Sequence, residues 1–446
     1  MEALERILGD LSDIVWGPPM LILLIGTHIF LTFRLRFIQR FIGKAIKLSF
    51  QRTTEGAGDV SHFGALTTAL AATIGTGNIV GVATAIAAGG PGAVLWMWLT
   101  GVFGIATKYA EAVLSVKYRI TGANGLMAGG PMYVLERGMN ARWLGLIFAA
   151  LTAISAFGIG NMVQANSVSH MVEETFNVAP WITGLIMTVL TAVVILGGIK
   201  SIAKVCERLV PFMAVLYVVG CLILLFMNLS GVPASIELIV TSAFTGQAMV
   251  GGFLGAGMRE AMRYGIARGL FSNESGLGSA PIVAAAAQTK NPVRQALVSS
   301  TGTFWDTVVI CAITGIVLVN SGEWMNGLRG AALTKAAFAD FPLVGPTVLT
   351  FGLLTFVFST ILGWSYYGEK AAEYLLGPKA ITPYRWLWVL AVMAGSMLTL
   401  PIVWSFADVT NALMAIPNLI SLIVLNRVLV AETREYLWSD NLDKSS

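Results

Sequence analysis

Eleven apolar stretches, each long enough to cross a bilayer as a helix, follow one another along this 446-residue chain. A helix needs about 20 apolar residues to span the hydrocarbon core. Read with that window, candidate spans fall at roughly 15–33, 63–88, 91–118, 143–170, 180–199, 209–229, 256–288, 295–319, 343–368, 384–400 and 404–430. No polar stretch between them is long enough to form a separate soluble domain. Composition agrees: only 12% of residues are charged and 56% are hydrophobic, about half the charge of a soluble domain. An all-α integral membrane protein is the one class that fits. A net charge of +4 spread over loops excludes a nucleic-acid partner. Cys206, Cys221 and Cys311 show no paired spacing, so neither a disulfide framework nor a metal cluster is expected. The first apolar run has no A-x-A cleavage site behind it and reads as a retained span.

Loop charge tests the count. With the N-terminus outside, the inner segments collect 21 of the 28 Lys and Arg residues. The outer segments hold Arg6, Arg329 and Lys335, while Lys108, Arg259, Arg263 and Arg268 fall within spans. A miscounted span would scramble this asymmetry downstream of the error. The expected topology is therefore N-out and C-in, in the cell membrane. Residues 34–53, with Arg34, Arg36, Arg40, Lys44 and Lys47 among Phe, Ile and Leu, read as an amphipathic helix on the inner bilayer surface.

Two spans contain residues that a membrane helix tolerates poorly. The second holds Ala71-Ala72-Thr73-Ile74-Gly75-Thr76-Gly77-Asn78, and the seventh holds Phe271-Ser272-Asn273-Glu274-Ser275-Gly276-Leu277-Gly278 followed by Pro281. Glycine costs about 1 kcal/mol in a helix interior, and an ionisable Glu at membrane depth costs more. Gly77-x-x-x-Gly81 alone suits close helix packing. A run of Ser, Asn and Glu beside glycines instead indicates unwound backbone buried in protein. The two breaks lie an odd offset of five spans apart, which places them in helices of opposite direction, as an inverted repeat requires. Paired broken helices point to a secondary-transporter site, where free N–H groups attract a carboxylate and free carbonyls a cation. The Gly75-x-Gly77 spacing is not a dinucleotide loop, because the third glycine is at 81 and no strand precedes it. No HExxH, GxSxG or phosphate-binding loop occurs, so no enzymatic or ATP-driven function is expected.

Gly89-Gly90-Pro91-Gly92-Ala93-Val94-Leu95-Trp96-Met97-Trp98 resembles the signature of the alanine or glycine:cation symporters, also called sodium:alanine symporters. Leu95 stands where that family usually has Phe. Ala72 to Asn78, Gly158-Ile159-Gly160-Asn161-Met162-Val163-Gln164 and Phe271 to Pro281 also resemble the family's blocks. The resemblance covers nearly the whole chain. It implies a LeuT-like fold of two inverted five-helix repeats plus one N-terminal helix. Residues 1–62 then carry the extra span and the amphipathic helix, 63–230 the first repeat, 231–430 the second, and 431–446 an inner tail. It further implies a substrate site built from Thr73, Gly77, Asn78, Gln164, Phe271, Ser272, Asn273, Glu274 and Trp364. By fold analogy a sodium site uses the carbonyls of Ala71 and Ile74 with Ser359 and Thr360.

The chemistry of these residue types suits a small zwitterion. The helix N-terminus after Gly77 and the Asn78 amide take a carboxylate, while Gln164, carbonyls near Phe271 to Asn273 and Glu274 take an ammonium. Phe271 and Trp364 limit side-chain room, which favours glycine and alanine. The expected function is sodium-driven symport of small neutral amino acids without a bound cofactor. A proton-coupled or glutamine-preferring symporter is the alternative, and an amino-acid-gated channel or sensor is the rival from another class. Asp306 is expected to pair with a membrane cation such as Lys108 or Arg268, with a proton relay as the alternative, and Lys108 to pair with Glu111 one turn away. Arg259, Glu260 and Arg263 are expected in a solvated outer vestibule, with Arg268 a turn before the second break. His28, His62 and His170 are scattered and read as packing residues.

Overall fold

The computed structural model of the protein describes residues 2–51, 56–245, 257–339, 344–398 and 400–444. Arg52, the starts of the 256–288 and 343–368 spans, and position 399 of the 384–400 span lie outside them. The helices are α1 (Glu2–Val15), α2 (Pro18–Arg34), α3 (Ile42–Ser49), α4 (His62–Thr73), α5 (Gly77–Gly89), α6 (Ala93–Lys117), α7 (Arg142–Phe176), α8 (Pro180–Ile195) and α9 (Gly198–Met227). The second half continues with α10 (Val232–Thr245), α11 (Met258–Asn273), α12 (Pro281–Ala284), α13 (Pro292–Ser321), α14 (Gly330–Ala339), α15 (Val344–Leu376), α16 (Ile381–Met397), α17 (Leu400–Val424) and α18 (Asn426–Thr433). A two-stranded antiparallel ribbon, Ile120–Thr121 with Met127–Ala128, follows α6.

Each of the eleven expected spans coincides with one of these helices or with a broken pair. Among the described residues, five helices are individually long and apolar enough to cross a membrane. Two further pairs qualify if each is one bent span: α2 with the Ile38–Ser49 segment, bent by 64°, and α4 with α5, bent by 51°. The membrane-facing perimeter is apolar, as a bilayer demands. Val193 on α8 is 73% exposed, and Val215 and Phe226 on α9 are 62% and 75% exposed. In water such a surface would drive association.

Two expected boundaries change. The 209–229 span begins at Gly198, because Lys200, Lys204, Glu207 and Arg208 extend the helix beyond its apolar part, and Pro211 is accommodated within it. The 256–288 span is not one helix. It stops at Asn273, runs without helix through 274–280, and resumes for a single turn in α12. Three helices, α1, α10 and α14, carry no span-length apolar signal and were not expected.

Local chemistry sets the ends. Ser61 caps α4 by accepting the Gly64 N–H at 2.9 Å, and Asn291 caps α13 by accepting that of Arg294 at 2.9 Å. Prolines 18, 180, 281 and 292 occupy first-turn positions where their missing N–H costs nothing. In the interior, α6 packs on α11 and α13, α15 packs on α4, α7 and α9, and α17 packs on α7. This arrangement brings the two breaks together in the buried core.

Candidate functional site

The first break follows from a side chain that competes with the helix. If α4 continued, the Gly75 N–H would reach the Ala71 carbonyl; it donates instead to Asn78 Oδ1 at 2.8 Å. Ile74 takes an extended conformation (φ −76°, ψ 96°) and the chain turns into α5. The Thr76 N–H donates to Gln164 Oε1 at 3.3 Å, while Gln164 Nε2 donates to the Ile159 carbonyl at 2.9 Å. Glycine is required at 75, since a Cβ there would lie 2.5 Å from Thr360 Oγ1. At Gly77 a Cβ would come within 3.2 Å of the Phe271 ring and the Ser272 backbone. The two broken helices therefore touch directly.

The second break is closed by a left-handed turn at Glu274 (φ 57°). Asn273 Oδ1 accepts the Ser275 N–H at 2.8 Å. The Glu274 carboxylate is held by the Trp364 indole N–H at 2.7 Å and the Ser279 hydroxyl at 2.5 Å. Trp364 is fully buried on α15 and Phe271 nearly so, which excludes an interfacial role for Trp364. Thr73 donates its hydroxyl to the Leu70 carbonyl at 3.3 Å and borders a small cavity shared with Lys108 and Ser299.

A carboxylate on a third helix joins the breaks. Asp306 Oδ1 accepts from Asn78 Nδ2 at 2.7 Å, and Oδ2 accepts from the hydroxyls of Ser272 at 2.9 Å and Thr307 at 2.6 Å. The expected partnership of Asp306 with Lys108 or Arg268 is thus corrected. Arg268 forms a two-pronged pair with Asp408, at 3.1 and 2.9 Å. The expected Lys108–Glu111 pair is corrected as well. Glu111 Oε1 accepts the N–H groups of Gly276 and Gly278, each at 3.0 Å, and Asn418 Nδ2 at 2.7 Å. The bare backbone of the second break offers the carboxylate better-aimed donors than a flexible ammonium on its own helix.

The expected sodium ligands are partly assembled. Thr360 Oγ1 lies 3.2 Å from the Ile74 carbonyl and 2.9 Å from the Phe356 carbonyl. Ser359 Oγ also contacts the Phe356 carbonyl at 2.9 Å. The Ala71 carbonyl, relieved of its helical partner, belongs to the adjoining turn. A hydroxyl has one proton, so Thr360 can satisfy only one of its two carbonyls and the other faces it with lone pairs.

The remaining candidates lie elsewhere. Arg263 is within 3.9 Å of Glu260 and both are partly exposed, as a vestibule requires. His28 shares a 2.7 Å hydrogen bond with Thr107, His62 a 2.5 Å one with Gln295, and His170 sits 3.4 Å from Glu173. The three cysteines are buried and free, and no cluster of metal-ligating side chains occurs among the described residues. Sequence reasoning left out Asn418 and Ser279. An Asn within an apolar span was the available signal for the first; nothing local marks the second.

Two discontinuous helices meeting at a buried polar centre, in a bundle with an apolar perimeter, define a multi-pass membrane transporter. The crystal structure of MhsT in complex with L-phenylalanine has the same LeuT-like fold. Its TM-score is 0.60 at 14% identity, covering 87% of this chain and 96% of that one. The family model described as the sodium:alanine symporter family matches residues 1–446, and the chain belongs to that family. A sodium/alanine symporter, AgcS of Methanococcus maripaludis, is 52% identical over 96% of both chains. A probable sodium/glutamine symporter, GlnT of Bacillus subtilis, is 38% identical over 98% of this chain and 91% of its own.

Proposed function

We propose that the protein carries small neutral amino acids, alanine and glycine, into the cell together with sodium by alternating access. In this reading the N-terminus lies outside and the C-terminus inside the cell membrane. One observation carries the proposal: the first break presents opposite polarities on its two sides. The N–H groups of Gly75 and Thr76 turn towards Asn78 and Gln164, while the Ile74 carbonyl turns towards the Thr360 hydroxyl. A carboxylate suits the first side, and a hard cation suits oxygens at the second. Na⁺ at Ala71, Ile74, Ser359 and Thr360 would hold the same segment that receives the amino acid, so each ligand favours binding of the other.

Thr73, Gly77, Gln164, Phe271, Ser272, Asn273, Glu274 and Trp364 form the substrate site, Gln164 as an adjustable amide and Phe271 and Trp364 as walls. The 52% identity to a sodium/alanine symporter supports alanine. The short reach between Gly77 and Phe271 supports a small side chain. Asn78 acts on the substrate through the backbone, because its oxygen and nitrogen are occupied by Gly75 and Asp306.

The test is uptake of labelled alanine, glycine and glutamine into proteoliposomes, with sodium and pH gradients imposed separately. Alanine accumulation that follows the sodium gradient alone is the expected result. Accumulation driven by a proton gradient without sodium, or glutamine outcompeting alanine, would replace this reading with one of its alternatives. Dissipative flux in proportion to open time would indicate a channel.

A further inference from the structure

On the flank of the bundle, α4, α9 and α13 enclose an apolar groove of about 320 Å³. Its floor is Leu70 and Ile74 of the first broken helix with Trp305 and Ile310 of α13, and its outer lip is Val215 and Val219 of α9. The lip residues are 62% and 48% exposed, and Phe50 at the end of α3, 68% exposed, closes one end. In a membrane these outward positions face acyl chains. The material available to fill the groove is therefore lipid.

Charge identifies which lipid. On a helix, positions three or four apart share a face. The face of α9 that lines the groove through Pro211, Val215, Val218 and Val219 continues towards its N-terminal end through Arg208 and Lys204. On α3, Lys47 stands one turn before Phe50. All three cations are exposed, and none makes an ion pair among the described residues. An apolar trough ending in exposed cations has the pattern of a phospholipid with an acidic head. We infer that this groove is a binding site for one anionic phospholipid, its acyl chain in the trough and its phosphate against Lys204 and Arg208.

The occupant would press on Leu70 and Ile74. Ile74 is the residue whose carbonyl meets Thr360, so the lipid acts as a wedge behind the first break rather than as a general annular contact. Leaving the groove empty would forfeit the dispersion contacts of its lining.

Binding is read without transport, so its outcome is independent of the proposed substrate. Detergent-purified protein is titrated with dioleoylphosphatidylglycerol or dioleoylphosphatidylcholine and examined by native mass spectrometry. The first phosphatidylglycerol should be retained at roughly tenfold lower lipid concentration than phosphatidylcholine, from about fivefold per cation before screening. Lys204→Gln with Arg208→Gln should abolish that preference and leave phosphatidylcholine retention unchanged. Val215→Trp, at an exposed position where folding is not at risk, should fill the trough and weaken retention of both lipids several-fold. Equal retention of the two lipids by the unmodified protein, a preference that survives the charge substitutions, or Val215→Trp without effect would each overturn the inference.

Discussion

Replacing Gly160 with alanine tests how the wall of the central site is held. Gly160 lies in the loosened turn Gly158–Met162 of α7, facing Trp364 on α15. An added Cβ would lie 2.1 Å from Trp364 Cβ and 2.3 Å from its Cγ. Carbon atoms pack at about 3.5–4.0 Å, so a gap of roughly 1.5 Å must open. The ring has no free direction of retreat, because Tyr367 packs edge-on at 5.4 Å and the indole N–H is bonded to Glu274 at 2.7 Å. Overpacking of this kind costs about 1–3 kcal/mol. If the ring moves, Glu274 loses a buried donor, for about 1–3 kcal/mol more. Gly160→Ala should therefore destabilise by about 2–6 kcal/mol, read by unfolding in mixed micelles titrated with SDS. The same substitution in a Trp364→Gly background should cost at least about 1 kcal/mol less, since the clashing Cβ, Cγ and ring atoms are gone. A loss below about 0.5 kcal/mol, or strict additivity of the two changes, would show that the helices simply separate and that Trp364 is not pinned.

Thr360→Ser should keep most sodium-dependent uptake, while Thr360→Val, nearly the same shape without an oxygen, should raise the half-saturating sodium concentration by roughly 5–30-fold, the equivalent of about 1–2 kcal/mol; identical sodium curves for the two would remove Thr360 from the ion site. Gln164→Ala should weaken alanine binding by about 1–3 kcal/mol in an equilibrium binding assay, through a lost buried partner for the Thr76 N–H and the ligand; unchanged affinity would place the ligand elsewhere. Glu111→Ala strips acceptors from two backbone N–H groups and an Asn, so it should destabilise by about 3–5 kcal/mol in the mixed-micelle assay. A change under about 1 kcal/mol would mean that water replaces the carboxylate.

The bilayer explains why so much of this fold was legible in the chain. A spanning segment must satisfy its own backbone and be apolar over a fixed length, so each expected span found a helix or a broken pair. The breaks were equally visible, because Gly75, Gly77, Asn273 and Glu274 are conspicuous among Ala, Val and Leu. Helices α1, α10 and α14 escaped because no length criterion applies to them. The polar partnerships also escaped. Glu111 meets Gly276 and Asp306 meets Asn78 across 165 and 228 residues of chain, and no local pattern encodes such a meeting. The nearest candidate by helical spacing, Lys108 for Glu111, was the wrong one because spacing ignores what the facing helix offers. The residues of the candidate site were legible by type, but not which of them are already engaged with one another. Thr360 beside Ile74 was recoverable only through the architecture that places α15 against α4.

The Asp306 carboxylate has a mechanical consequence. One oxygen grips Asn78 of the first discontinuous helix and the other grips Ser272 of the second. Two segments suspended from the same rigid fork cannot travel independently without first leaving buried polar groups unpaired. Any displacement of one discontinuous helix therefore draws on the bonds that hold the other, and the trio behaves as one mechanical part. The three positions form a single linkage, which altering Asn78, Ser272 or Asp306 alone would loosen for all three.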